Sequence, residues 1–126
     1  MLINCLFVGC GGFLGSVLRY LCSFIKVPLW DFPFITLGIN FIGSFAIMFF
    51  AGFCARNIPL DQHWMLFLRV GLCGGFTTFS TFSAETLAML ESGNTALGIT
   101  YALASCVLCV LAAFLGEAAA SALKAS

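Results

Sequence analysis

Four long stretches of this chain contain almost no charged side chain, and they limit its fold more than any other feature. They run approximately over residues 2–25, 34–54, 64–90 and 95–119. A helix needs about 20 mostly apolar residues to cross the hydrocarbon core of a bilayer. Only 8% of the 126 residues are charged, whereas soluble domains carry about 25%. The sequence therefore predicts an all-α membrane protein, in which residues 1–126 form a single domain of four transmembrane helices.

The segments between these stretches are short and carry turn-forming or charged residues. Lys26 to Pro28 ends the first span, and Asp31 to Pro33 leads into the second. A polar loop from Arg56 to His63 contains Pro59, and Glu91 to Asn94 forms a tight connector before the fourth span. Four spans place both termini on the same side of the membrane.

The basic residues do not fix the orientation of the chain in the membrane. With Lys124 included, they divide three against two between the two sides, which is too small a bias for the positive-inside rule. Two interpretations therefore remain open. One is a single orientation, and the other is insertion both ways with antiparallel pairing of two copies.

Neither the charge balance nor the cysteine spacing indicates a nucleic-acid partner or a zinc site. Five basic and five acidic side chains cancel, so the charge balance gives no reason to expect nucleic acid as a partner. Cys106 and Cys109 form a C-x-x-C, but a tetrahedral zinc site needs two further ligands. We therefore interpret the seven cysteines mainly as small apolar packing residues.

The third span has an unusual composition for a membrane helix. Gly71, Gly74 and Gly75 each weaken a helix by roughly 1 kcal/mol relative to alanine. Five hydroxyl side chains between residues 77 and 83 compete for backbone groups. This pattern predicts a break between Gly74 and Ser80 that faces the protein interior. A break at this depth would free backbone carbonyl and N–H groups for ions.

Polar side chains recur every fourth residue on two other spans, so they share one face of each helix. The second span carries Thr36, Asn40 and Ser44, and the fourth carries Tyr101, Ser105 and Cys109. A buried polar track is one interpretation. The other is that these groups only hydrogen-bond neighbouring helices together.

Phe79 and Phe82 are three residues apart and share a face just beyond the predicted break. The positive edges of phenyl rings, together with amides and hydroxyls, can surround an anion without a formal positive charge. The alternative is that both rings are ordinary lipid-facing or core side chains.

Ionisable groups within the spans are functional candidates, because a charge in lipid is costly. Arg19, Arg69 and Glu85 are such groups, although Arg69 lies near a span end, from which it can reach the headgroups. Gly11 and Gly15 form a G-x-x-x-G typical of close helix packing. No nucleophile–base pair is evident, so the sequence predicts no enzyme.

With these residues assembled, the chain resembles the CrcB/Fluc family of fluoride channels over essentially its whole length. The matching motifs are Gly11-Gly-x-x-Gly-x-x-x-Arg19-Tyr20, Thr36-x-x-x-Asn40, Gly74-Gly-x-Thr-Thr-Phe-Ser-Thr-Phe82-Ser-x-Glu85 and Tyr101-x-x-x-Ser105. The third-span motif is highly specific, and the others occur in the matching order.

The resemblance implies an antiparallel, dual-topology homodimer in the bacterial inner membrane, with two pathways for passive fluoride export. It implies that Phe79 and Phe82 contact the anion through their ring edges and that Asn40 donates to it. Thr36, Tyr101 and Ser105 would line the polar track, and Cys109 takes a position that is a hydroxyl residue in some relatives. The carbonyls of Gly74 and Thr77 from both copies would hold a central structural Na⁺. Arg19 would make one approach electropositive, and Glu85 would lie near a pore mouth.

Two other functions remain open from the residues alone. A small four-helix multidrug exporter needs a membrane-embedded carboxylate in the first span, where this chain has none. A small membrane assembly subunit would use the polar tracks only to hold helices together.

Overall fold

The computed structural model describes residues 1–25, 27, 32–58 and 60–123, and within them four helical stretches are long and apolar enough to cross a membrane. These stretches are Leu2–Cys22, Phe34–Arg56, Gln62–Glu91 and Thr95–Ala122. The predicted all-α architecture with four spans is confirmed for the described residues. The protein is a multi-pass membrane protein. The predicted turn and loop positions Lys26, Pro28, Asp31 and Pro59, and Lys124 near the C-terminus, lie outside the described residues.

Three of the spans are single helices, and the third has several parts. The single helices are α1 (Leu2–Cys22), α2 (Phe34–Arg56) and α6 (Thr95–Ala122). The third span consists of α3 (Gln62–Met65), a π-helical segment (Leu66–Cys73), α4 (Gly74–Phe76) and α5 (Phe79–Glu91). His63, which was predicted to lie in a loop, instead belongs to α3, and its ring stacks on Phe7 with centroids 5.2 Å apart.

The break in the third span is shorter than the sequence predicts. Gly74–Phe76 is helical, and the backbone is helical again from Phe79. Only Thr77 and Thr78 are extended, with ψ angles of 158° and 110°. Gly71 and Gly75 remain helical because α1 packs directly against them, and this packing outweighs their low helix propensity.

Helix α1 packs against the first half of the third span through glycines on both sides. A Cβ atom on Gly11 would lie 2.9 Å from the backbone nitrogen of Leu72 and 3.0 Å from Cα of Gly71. A Cβ atom on Gly15 would lie 2.8 Å from the backbone nitrogen of Phe76. These positions require glycine because the two backbones are in contact, as the G-x-x-x-G motif predicts.

Helices α2 and α6 form the most extensive helix pair in the described structure, and they run parallel to each other. The α2 positions Asn40 and Ser44 lie beside Ser105 and Cys109 of α6. Farther along both helices, Gly52 lies against Glu117. Because residue numbers rise in the same direction along α2 and α6, the two polar ladders predicted from the sequence face each other in register.

Candidate functional site

The extended residues of the third span are held by hydrogen bonds from their own side chains. The Thr77 hydroxyl donates to the carbonyl of Cys73 at 3.1 Å. The Thr78 hydroxyl accepts from the backbone N–H of Thr81 at 3.1 Å, so Thr78 acts as the N-cap of α5. A threonine cap of this kind stabilises a helix start by about 1 kcal/mol. The short threonine pair therefore ends one helix and begins the next.

Asn40 pairs its side-chain amide with the backbone N–H and C=O of Thr78. Its Nδ2 atom donates to the Thr78 carbonyl at 3.1 Å, and its Oδ1 atom accepts from the Thr78 N–H at 2.8 Å. Both backbone groups are at the break, where no helical partner is available to them. Unsatisfied peptide groups at membrane depth cost several kcal/mol each, so this pairing makes the break tolerable in lipid.

Two other backbone carbonyls lie near the break. That of Gly74 accepts a long hydrogen bond from a hydroxyl group, and that of Gly75 accepts from a charged side chain. In the described structure, the Gly74 carbonyl accepts a hydrogen bond only from the Thr77 hydroxyl, at 3.5 Å. Among the described residues, no backbone N–H donates to the carbonyl of Gly74 or Thr77. The next carbonyl, that of Gly75, accepts from Nε of Arg19 at 3.2 Å. A cation beside the carbonyl end of a helix interacts favourably with the helix dipole.

A cavity of about 310 Å³ lies beside the break, between α2, α5 and α6. We call it the Phe79 cavity. It is lined by Asn40, Gly43, Ser44, Ile47, Cys73, Thr77, Thr78, Phe79, Phe82, Ser105, Cys106 and Cys109. It brings together most of the side chains that the sequence analysis assigns to the anion pathway. Thr36 and Tyr101, the remaining two, lie outside its lining.

The two phenylalanine rings are in contact but differ in exposure. Their centroids are 5.4 Å apart, with an interplanar angle of 47°. Phe82 also packs on Tyr101, with centroids 5.2 Å apart, whereas Phe79 is 77% exposed on a single copy of the chain. Phe82 is therefore fixed within the helix bundle, and Phe79 lies at its surface.

Glu85 is held by the two track residues that lie outside the Phe79 cavity. The Thr36 hydroxyl donates to Oε1 at 2.7 Å, and the Tyr101 hydroxyl donates to Oε2 at 2.7 Å. Tyr101 is fully buried, and the nearby Ser105 hydroxyl is buried with no hydrogen-bond partner in the described structure. These contacts fix the carboxylate where α2, α5 and α6 meet.

A second cavity, of about 430 Å³, lies on the other side of Thr78, which lines both cavities. We call it the Arg19 cavity. It contains Arg19, Thr36 and Glu85, so the two predicted vestibule residues share one space. The site is thus divided by the break itself, with mostly neutral donors and aromatic rings on one side and a cation and an anion on the other.

Sequence reasoning identified most of these side chains but missed Thr78 and Gly43. Thr78 is the backbone partner of Asn40, and pairing between a side chain and a distant peptide leaves no periodic signal. Gly43 is buried against the methyl group of Thr77, so any side chain there would collide with the break. Its position one residue before Ser44 of the α2 ladder is the only sequence signal for it.

The residues of the described chain do not assemble a cluster of three or more histidine, cysteine, aspartate or glutamate side chains that could hold a metal ion. All seven cysteines, which lie within the described ranges, are free.

Comparison with known proteins identifies the family. The family model described as CrcB-like protein, Camphor Resistance (CrcB), matches residues 6–117. A Rhizobium meliloti protein named Fluoride-specific ion channel FluC is 45% identical over 120 residues, covering 90% of this chain and 92% of the relative. Proteins of the same name from Methylobacterium radiotolerans and Nitrobacter winogradskyi are 40% and 46% identical, over 94% and 86% of this chain and 85% and 88% of their own lengths. The family model covers most of the chain, and the relatives match over nearly their full lengths, so this chain belongs to the CrcB/FluC family.

Proposed function

We propose that this protein is a fluoride-selective channel that allows passive export of fluoride across the bacterial inner membrane. Relatives at 40–46% identity carry the name Fluoride-specific ion channel FluC. The structural observation that carries the proposal is the Phe79 cavity, where an amide, two phenyl rings and a buried hydroxyl meet beside non-helical backbone. The family is one of ion channels by name, and it is not a family of enzymes.

The chemistry of the Phe79 cavity suits a small, strongly hydrated anion. Asn40 has two N–H donors, and only one is used, by the Thr78 carbonyl, within the described structure. Its second N–H and the unpartnered Ser105 hydroxyl can donate to an anion in the cavity. The edges of the Phe79 and Phe82 rings add positive potential without a formal charge. Such donors replace hydration water, as carbonyl groups do for cations in a selectivity filter.

The Arg19 cavity would form one approach to this pathway. Arg19 provides a positive potential there, while Thr36 and Tyr101 hold Glu85 through both carboxylate oxygens. An anion near Glu85 would therefore meet a carboxylate whose charge is partly offset by two donors. This arrangement supports the assignment of Arg19 and Glu85 to the vestibule, with Thr36 and Tyr101 at the start of the track.

We further propose that two copies assemble as an antiparallel, dual-topology homodimer. Phe79 is 77% exposed on one copy, and Gly74 is also at its surface, so a single chain leaves pathway residues uncovered. A second copy packed against this face would enclose them. The small bias in basic residues across the membrane is compatible with insertion in both orientations.

The same dimer face would accommodate a structural Na⁺. The carbonyls of Gly74 and Thr77 receive no backbone N–H in the described structure, and hard oxygen atoms of this kind suit an alkali cation. Two copies would contribute four such carbonyls. When bound, the ion would offset the repulsion between nearby anions, because charges interact strongly at low dielectric.

The alternative functions make different use of the same residues. A multidrug exporter would need an available carboxylate within the membrane, but both oxygens of Glu85 already accept hydrogen bonds. A non-transport assembly subunit would carry no ion flux by itself. We therefore favour the channel.

The decisive experiment is efflux from liposomes that contain only the purified protein. Vesicles loaded with fluoride or with chloride are diluted into anion-free buffer, valinomycin is added, and each anion is followed with its ion-selective electrode. We expect rapid fluoride release and no chloride release above that of protein-free vesicles. Equal release of both anions would refute selectivity, and release of neither would favour an assembly subunit.

A further inference from the structure

The paired ladders of α2 and α6 continue well beyond the Phe79 cavity. Successive positions four residues apart face each other, and the five rungs are Thr36 with Tyr101, Asn40 with Ser105, Ser44 with Cys109, Met48 with Ala113, and Gly52 with Glu117. Each step rises about 6 Å along the helix axes. The first three rungs are mostly polar, the fourth is apolar, and the last carries an acidic group.

A third cavity connects the middle of this ladder to its charged end. It has a volume of about 420 Å³ and is lined by Ser44, Met48, Cys109, Val110, Ala113, Phe114 and Glu117. We call it the Glu117 cavity. Because Ser44 and Cys109 also line the Phe79 cavity, the two spaces share a wall. Cavity-lining residues therefore follow one another along α2 and α6 from Asn40 to Glu117, with an apolar stretch around Met48 and Ala113.

At its far end this face is closed by an ion pair between Arg56 and Glu117. The two side chains are 33% and 36% exposed, so the pair lies at the edge of the protein. Gly52 lies directly beneath it, and a Cβ atom there would collide with both charged groups. Arg56 is 20 residues beyond Thr36 on α2, a rise of about 30 Å. This matches the thickness of the hydrocarbon core, so the pair and Glu85 lie near opposite membrane boundaries.

An anion that follows this face outward meets a carboxylate as the last group of its path. A negative charge beside the path repels an anion, and the repulsion is several times stronger where water is scarce. Arg56 is the cation that cancels this charge. The absence of a side chain at Gly52 leaves room for the two groups to meet.

We propose that Arg56 and Glu117 form the second mouth of the ion pathway, and that Arg56 keeps this mouth permeable to anions by neutralising Glu117. The inference rests on the proposed channel function. Arg56 acts here as a positioning residue, through Glu117. Neither residue belongs to the motifs by which the sequence resembles fluoride channels.

The test compares fluoride efflux from liposomes of neutral lipid for the wild type, Arg56→Gln, Glu117→Gln and the double variant. Arg56→Gln leaves an unpaired carboxylate at the mouth, so we expect at least a fivefold slower flux at low ionic strength. Raising the ionic strength to about 1 M with potassium sulfate should restore most of this loss, because the Debye length falls to about 3 Å. Glu117→Gln and the double variant should conduct at or above the wild-type rate.

The control is Asp61→Asn, which removes an exposed charge five residues beyond Arg56 and outside the ladder, at the N-cap of α3, where asparagine is equally well suited to the helix start. It should leave flux unchanged. The proposal is overturned if Arg56→Gln conducts normally, if its loss is insensitive to salt, or if the double variant is as slow as Arg56→Gln. The last two results would mean that Arg56 matters only for folding. The wild type in the same vesicles reports on channel function separately, and its failure to pass fluoride would overturn both proposals.

Discussion

Asn40 on α2 and Thr78 in the third span are joined by two hydrogen bonds that close a ring between a side-chain amide and the backbone N–H and C=O of one residue. The Oδ1 acceptor distance is 2.8 Å and the Nδ2 donor distance is 3.1 Å. One residue thus satisfies both backbone groups of Thr78, the N–H donor and the carbonyl acceptor. The second N–H of the Asn40 side-chain amide is not used in this pairing. The hydrogen bonds give Asn40 a structural role, and we propose a conductive role beside it. The two roles can be separated by experiment.

Replacing Asn40 with aspartate tests both roles together. The carboxylate can still accept from the Thr78 N–H, but it cannot donate to the Thr78 carbonyl and instead repels it. We expect the free energy of unfolding to fall by about 1–3 kcal/mol. We also expect fluoride flux to fall about tenfold or more, because the pathway gains a negative charge. Thermal unfolding in detergent and liposome efflux measure the two effects.

The matched control for this change is Asn94→Asp. Asn94 is the exposed N-cap of α6, where aspartate is equally well suited to the helix start. It should change neither stability nor flux. Full conduction by Asn40→Asp would remove this side chain from the pathway, whatever its effect on stability.

Substitutions of Phe79 and Phe82 should affect fluoride flux in the same way but protein stability differently. Replacing either ring by isoleucine removes the positive ring edge, so we expect flux to fall by about three- to tenfold in both variants. Only Phe82→Ile should also lower stability, by about 1 kcal/mol or more, since Phe82 packs on Tyr101 while Phe79 is mostly exposed. Efflux and thermal unfolding are measured on the same preparations.

Phe13→Ile is the control for both rings, because Phe13 is 68% exposed on α1 and outside the cavities described here. Its flux should equal that of the wild type. If Phe79→Ile also conducts normally, the Phe79 ring is an ordinary surface side chain.

Much of the fold follows from the sequence because the membrane imposes simple rules on it. Apolar length defines the four spans, and the period of four places the polar residues of α2 and α6 on one face each. Which faces would meet could not be read from either helix alone. The structure pairs them in parallel register, and that register places Ser44 beside Cys109.

The extent of the break could not be predicted for a related reason. Glycine propensity indicates irregular backbone from Gly74 onward, yet tertiary packing against α1 keeps Gly74–Phe76 helical. The Arg56–Glu117 pair was not predicted either, because the sequence indicates a polar loop from Arg56 onward, whereas Arg56 is the last residue of α2. Contacts across 61 positions leave no local pattern.

Removing the Tyr101 hydroxyl should destabilise the centre of the bundle. In Tyr101→Phe, Oε2 of Glu85 loses its donor while the ring packing on Phe82 remains. A hydrogen bond to a charged group contributes about 1.5–3 kcal/mol, so we expect the free energy of unfolding to fall by that amount. Tyr20→Phe is the control, because Tyr20 is 64% exposed. Equal stability of the two variants would show that the Glu85 contact contributes nothing.

The glycine contact between α1 and the third span predicts opposite effects of the same substitution at two neighbouring positions. In Gly11→Ala the new methyl group would lie within 3.0 Å of backbone atoms of Leu72 and Gly71, which cannot rotate away. We expect a loss of about 1–3 kcal/mol in the free energy of unfolding. Gly9→Ala meets nothing within 4 Å, and alanine favours a helix over glycine, so stability should rise by up to about 1 kcal/mol. Thermal unfolding in one detergent ranks the two variants, and a Gly11→Ala protein as stable as Gly9→Ala would contradict the close approach of α1 to the third span.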